Sequence, residues 1–156
     1  LDKQTKNVLL GLASLFVASL AVGKKVISWI APIKAKITSP YGNRTLQGKT
    51  EFHNGIDLYA PEGTPIYAPA DAIVSSVYEH AAGGRQMILT HANGFKTGYA
   101  HLSQWKKSIG SKVKQGDIIA LSGKTGEKIT GAHLHFTMRN EKGTFVNPAN
   151  YVNVFA

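Results

Sequence analysis

The sequence predicts a mainly β domain preceded by an apolar α-helix. Three observations carry this expectation. Beyond Pro32, short stretches rich in Val, Ile, Thr and Tyr are separated by Gly, Pro and Asn-Gly punctuation at intervals of roughly ten residues. Asn93-Gly94 falls between two such stretches, a hairpin signal because both residue types tolerate positive φ. Residues 8–22, VLLGLASLFVASLAV, contain neither charge nor proline.

Taken in order, the first element is that apolar run. At about 1.5 Å per residue it covers roughly 22 Å, against the roughly 30 Å of a bilayer's hydrocarbon core. Lys3, Lys6, Lys24 and Lys25 flank it, and snorkelling lysines together with Val26 to Ile30 supply the missing length. Gly11, Ser14, Ala18 and Ala21 form a small-residue stripe, a surface for a partner helix in a membrane or a virion. The preferred reading is a retained membrane anchor. A cleavable signal peptide ending near Ser19-Leu20-Ala21 and a helix packed on another protein are the alternatives. Residues 1–31 are thus assigned to anchor and linker, and residues 32–156 to one folded domain.

Within that domain the expected strands are Ala35 to Ser39, Gly55 to Leu58, Pro65 to Ala68, Ala72 to Glu79, Gln86 to His91, Lys96 to His101, Ile118 to Ser122 and His133 to Arg139. Leu102 to Lys107 is expected as one helical turn, and no internal repeat is visible. The whole chain, 156 residues with a net charge of +9, favours polyanionic surroundings. No Lys/Arg block marks a nucleic-acid surface, so nucleic acid is not expected as a partner. Without cysteine, any metal has to be held by His and carboxylates.

Three pieces carry the chemistry: His53-Asn54-Gly55-Ile56-Asp57, Tyr99-Ala100-His101-Leu102-Ser103, and His133-Leu134-His135. Hydrolytic zinc usually takes three protein ligands and keeps a fourth position for water. His53, Asp57 and one histidine of the 133/135 pair make such a set. On a straight strand His53 and Asp57 would stand about 13 Å apart, so the chain has to bend between them, and Gly55 is the residue type that permits it. His133 and His135 share a strand face at roughly 6.6 Å, so one can ligate while the other reaches the reacting water, and spacing does not decide which. Imidazole suits the base and acid steps near neutral pH. His80 and His91 have no partner motif, and both read as surface or turn residues.

In this order the motifs resemble the lysostaphin-like, or LytM-domain, zinc endopeptidases. ITSPYGNR from Ile37, FHNGIDLYAPEGTPIYAPADAIV, GYAHLS, TGAHLHF and the closing Val146-Asn147-Pro148 with Tyr151 carry the resemblance. It implies a compact antiparallel β-sheet with a groove and one zinc ion held by His53, Asp57 and His135. It also implies His101 and His133 as the groups that orient or deprotonate water, and peptidoglycan cross-link peptides as substrate. A non-catalytic relative that binds or activates another wall hydrolase is the alternative, but such a relative would lack metal ligands. Thr137 departs from the pattern, standing where the family often carries an acid. The lysines around the apolar run favour a cytoplasmic domain, whereas the wall lies outside. The expected setting is therefore a bacterial envelope with that bias overridden, or alternatively a phage virion.

Overall fold

A computed structural model describes residues 26–127 and 129–154. The apolar helix expected over residues 8–22 lies outside these residues, and among those described no helix is long and apolar enough to cross a membrane.

Among the described residues thirteen strands form the fold: β1 Ile37–Ser39, β2 Gly42–Leu46, β3 Lys49–His53, β4 Ile56–Tyr59, β5 Pro65–Tyr67, β6 Ala72–His80, β7 Gly84–His91, β8 Lys96–Leu102, β9 Gln104–Trp105, β10 Lys112–Val113, β11 Ile118–Leu121, β12 His133–Arg139 and β13 Phe145–Val146. The main sheet runs β1-β4-β12-β8-β7-β6-β10, with β13 on β12. A smaller sheet runs β5-β11-β9, and β2 and β3 form a separate hairpin. All pairings are antiparallel.

Alternation explains how one sheet makes both a core and a groove. On β12, Leu134, Phe136 and Met138 are buried, whereas His133, His135 and Thr137 are only half-buried. Period-two geometry puts these two sets on opposite faces. The apolar face joins Val74, Met87, Leu89 and Tyr99 of the neighbouring strands and Ile66 and Ile119 of the small sheet in one core. At about 25 cal/mol per Å² of apolar surface removed from water, this core holds the groove's floor rigid.

Three expectations need correction. Leu102 to Lys107 is not a helical turn: Gln104 and Trp105 pair with Leu121 and Ala120, and Trp105 Nε1 donates to Gln86 O at 3.1 Å, which ties the segment between sheets. His91 is buried, 3% exposed, on the core side just before its turn. Its Nδ1–H donates to Asp71 O at 3.0 Å, its Nε2 accepts from Thr97 at 2.9 Å, and Thr97 accepts from Tyr99 at 2.8 Å. Burial pushes the His91 pKa down, with the Asp71 carbonyl partly opposing it, and burial pushes the Tyr99 phenol up. At Asn93-Gly94, finally, only Gly94 takes a positive φ, 83°; Asn93 instead accepts from the Phe95 N–H at 3.1 Å.

The two-residue hairpin with consecutive positive φ lies elsewhere, at Gln47 (51°) and Gly48 (77°), between β2 and β3. The described chain also packs before its first strand. Trp29 lies edge-on to His91 with centroids 4.7 Å apart, and Gln115 Nε2 donates to Ser28 O at 2.6 Å.

Candidate active site

Strand register brings the first two site residues together. His135 and Asp57 are direct partners across β12 and β4, and His135 Nδ1 lies 2.8 Å from Asp57 Oδ1. The expected bend between His53 and Asp57 is present, because β3 ends at His53 and β4 begins at Ile56 in a different sheet. His53 Nε2 thereby comes within 3.2 Å of Asp57 Oδ1 and 3.0 Å of His135 Nδ1. Gly55 serves this bend through close approach and not through positive φ. A Cβ there would collide with the Phe136 carbonyl and stand 2.8 Å from Thr137 Cγ2.

Two nitrogens and one oxygen therefore converge on one point from His53, Asp57 and His135, all within 4.8 Å of one another. Tetrahedral zinc with ligand bonds near 2.0–2.1 Å separates its ligand atoms by about 3.3 Å, and the three observed spacings of 2.8, 3.0 and 3.2 Å fall close to that. The outer ring nitrogens are already engaged: His53 Nδ1–H donates to Pro40 O at 2.7 Å, and His135 Nε2–H donates to Asn54 Oδ1 at 3.2 Å. Each hydrogen bond selects the tautomer whose lone pair faces inward. Inward lone pairs beside a carboxylate repel one another unless a cation lies between them, so the donor set fits a metal ion.

Asp57 is prepared for the same role. Burial opposes its ionisation, but the closeness of His135 and then His53 holds its carboxyl well below the usual carboxylate range. Its second oxygen, Oδ2, accepts from Arg44 at 3.1 Å. Arg44 in turn contacts Ser39 Oγ at 2.8 Å and Glu51 Oε1 at 2.6 Å.

The remaining two histidines stand beside this triangle. His133 Nδ1–H donates to Gly131 O at 2.9 Å, leaving its Nε2 3.6 Å from Asp57 Oδ1. The structure thus puts His135 inside the donor triangle and His133 next to it, a distinction that spacing alone does not make. His101 donates Nδ1–H to Thr125 O at 2.9 Å, so its lone pair is on Nε2, and its ring is 4.7 Å from that of His133. His101 has φ 63°, a left-handed conformation rare for a non-glycine residue and a sign of stored strain. Burial lowers its pKa, the Thr125 carbonyl works against this, and the neighbouring His133 and His135 lower it further.

Around these groups lies an open cleft of about 800 Å³ whose lining includes all five site residues together with Arg44, Phe52 and Tyr59. Residues 51–148 match peptidase family M23. The chain belongs to this family. M23 peptidases are zinc metalloproteases, in keeping with the donor set. Relatives include a metalloprotease of Haemophilus influenzae, 38% identical over 131 residues, covering 81% of this chain and 27% of the relative. Another is the peptidoglycan DD-endopeptidase ShyA of Vibrio cholerae, 38% identical, covering 67% of this chain and 25% of the relative. The chain spans about a quarter of the length of these curated relatives. Among solved structures it is similar to a zinc-containing peptidase from Vibrio cholerae, with TM-score 0.72 and 33% identity over 78% of this chain and 39% of that one. It is also similar to the catalytic domain of lysostaphin from Staphylococcus simulans, with TM-score 0.69 and 31% identity over 75% of this chain and 91% of that one. The M23 membership bears out the resemblance drawn from the motifs.

Sequence reasoning did not single out the supporting residues. Arg44, Asn54 and Thr125 announce themselves only through partners distant in sequence, and a lone Arg, Asn or Thr carries no spacing signal. Thr137 contributes to the groove's floor beside Gly55 and Gly98 and replaces none of the five site residues.

Proposed function

We propose that this chain is a zinc-dependent endopeptidase of M23 type that hydrolyses peptide cross-links of bacterial peptidoglycan. His53, Asp57 and His135 hold the ion, and His101 and His133 handle the proton. The observation that carries this reading is the convergence of three donor atoms with two further imidazoles whose Nε2 atoms are free of their backbone anchors.

When bound, zinc supplies Lewis-acid polarisation and makes a water acidic enough to ionise near neutral pH. The chain's own residues do the rest. One of His101 and His133 accepts, at Nε2, the proton released as water attacks the scissile carbonyl and returns it to the leaving amine, while the other ring steadies the developing oxyanion. Their Nδ1–H bonds to Thr125 and Gly131 fix each ring, so the geometry is set before substrate arrives. Arg44 keeps Asp57 Oδ2 occupied, so that Oδ1 is offered to the ion. Relatives named as peptidoglycan endopeptidases support the substrate class. Retention of all five site residues argues against a purely binding role.

Residues 8–22 are proposed to anchor the domain to a membrane, with the domain in the bacterial envelope or, alternatively, on a phage virion. The test is metal content together with release of new amino groups from purified sacculi, with and without a chelator. One zinc per chain with chelator-sensitive release is expected. Zinc without cleavage of several wall types would replace hydrolysis by binding, and no zinc would overturn the proposal.

A further inference from the structure

The groove continues past the histidines. Along β12 and β8 the facing pairs are His135 with Ala100, Thr137 with Gly98 and Arg139 with Lys96. Residues two apart on a strand share a face, so these pairs pave one floor leading away from the donor triangle. The same floor borders a hollow of about 200 Å³ that begins at His135 and reaches Lys96 and Arg139. Gly98 and Ala100 leave it open: a Cβ on Gly98 would stand 2.5 Å from Thr137 Oγ1.

The far end is cationic in an unusual way. Lys96 and Arg139 are direct cross-strand partners, and like charges in that position destabilise a sheet. Among the described residues lining this hollow none is Asp or Glu. Where the lysostaphin-like pattern often has an acid, this chain has Thr137. Arg139 is also held in place, its guanidinium 4.1 Å from the Phe145 ring centroid. Two neighbouring cations at the end of a groove that opens on the reacting centre raise the local concentration of an anionic ligand.

Four residue steps along β12 carry His135 to Arg139, a span of about 13 Å. An extended peptide rising about 3.4 Å per residue covers this in three to four residues. We propose that Lys96 and Arg139 form a subsite for a carboxylate of the substrate peptide, about three residues from the scissile bond. The chain thereby favours anionic stem peptides over amidated ones. This rests on the peptidase reading of the same groove.

The test uses the full zinc-loaded chain and two synthetic stem-type peptides, identical except that one internal carboxylate is free in the first and a carboxamide in the second. Affinities are read by calorimetry on the His133→Ala protein, and cleavage by the unsubstituted protein is followed in parallel. The carboxylate peptide is expected to bind about tenfold more tightly, or about 1.4 kcal/mol, and the difference should shrink as salt is raised. The Lys96→Gln, Arg139→Gln double variant should reduce the difference to about twofold or less, with Arg139→Lys retaining most of it. Should the double variant fail to fold, Lys96→Gln alone, at an exposed strand end, should still lose about half of the preference. Equal affinity for both peptides, no binding of either, or a preference that survives loss of both cations would overturn the subsite. Failure of the unsubstituted protein to cleave either peptide would instead remove the peptidase reading, and the binding comparison would still decide the subsite.

Discussion

Asp57 and His135 face each other as register partners across two central strands, whereas His101 sits at φ 63° at the end of β8 and is held by the carbonyl of a loop residue, Thr125. The donor triangle is thus built on sheet hydrogen bonding, and the position of His101, proposed to handle the proton, on loop closure. The turn 81–83, the start of β7 and loop 123–127 enclose His101: Glu127 N–H donates to Ala81 O at 2.8 Å, His101 N–H to Gly83 O at 2.9 Å, and Arg85 N–H to Thr125 Oγ1 at 3.0 Å. With the proposed roles, the difference teaches that metal affinity and turnover should be separable by substitution.

The sharpest break is within the His133/His135 pair. His135→Ala is expected to lose both zinc and activity, whereas His133→Ala should lose activity by about 10²- to 10⁴-fold and keep most of its zinc. Metal analysis beside sacculus cleavage checks this, and equal zinc loss in both would merge the two sides of the comparison. Gly55→Ala attacks the donor triangle through the backbone. Its Cβ meets the Phe136 carbonyl, so denaturant unfolding should show a loss of about 1–3 kcal/mol together with weaker zinc retention.

Arg44→Gln frees Asp57 Oδ2 while leaving the three donors in the chain. Zinc affinity, read by chelator competition, should fall about 10- to 100-fold, and affinity unchanged within twofold would show that the Arg44 contact does not orient the carboxylate. Thr125→Val probes the opposite side. It removes the hydroxyl that donates to Leu102 O at 2.8 Å and accepts from Arg85 N, worth about 0.5–1.5 kcal/mol. Turnover should drop by up to about tenfold at undiminished zinc content; parallel loss of zinc would deny the separation.

The smallest expected effect lies outside the site, in the core. His91 has a pKa lowered by burial from its ordinary 6.5. Below that pH the unfolded chain binds more protons at this position than the native chain. Stability from the neutral native form is therefore complete above about 6.5 and is lost as pH falls toward the lowered value. The melting temperature of His91→Gln should accordingly show a flatter acid dependence than that of the unsubstituted protein between neutrality and pH 5. Parallel curves would mean that His91 does not titrate in this window.

The central strands were legible because alternation is strong wherever one face is buried. His133–Arg139 is found where the pattern put it, and β6, β7, β8 and β11 differ from expectation by only a residue or two at their ends. The β2-β3 hairpin was not legible. Lys49 to Phe52 are exposed on both faces, so no alternation survives, and Gln47 occupies a turn position usually given to Asn or Gly. Gln104–Trp105 misled for a related reason, since two residues are too few to show a period. The burial of His91 went unseen because the Asn93-Gly94 signal marks a turn without saying on which side of the strand its neighbour lies.

By itself the sequence determined the residue chemistry: a cysteine-free chain whose metal has to be held by His and carboxylate, with three ordered His-containing motifs on strands. Those features are local, set by side-chain type and by spacing of a few residues. Tertiary structure decided which of His133 and His135 joins the donor triangle, and which backbone carbonyls fix the His53 and His101 tautomers. It also decided that Arg44 reaches Asp57 and that Lys96 faces Arg139. These depend on strand register and on contacts between residues 13 to 82 positions apart. Such contacts follow from how the whole sheet closes on its core, and no short window of sequence contains them.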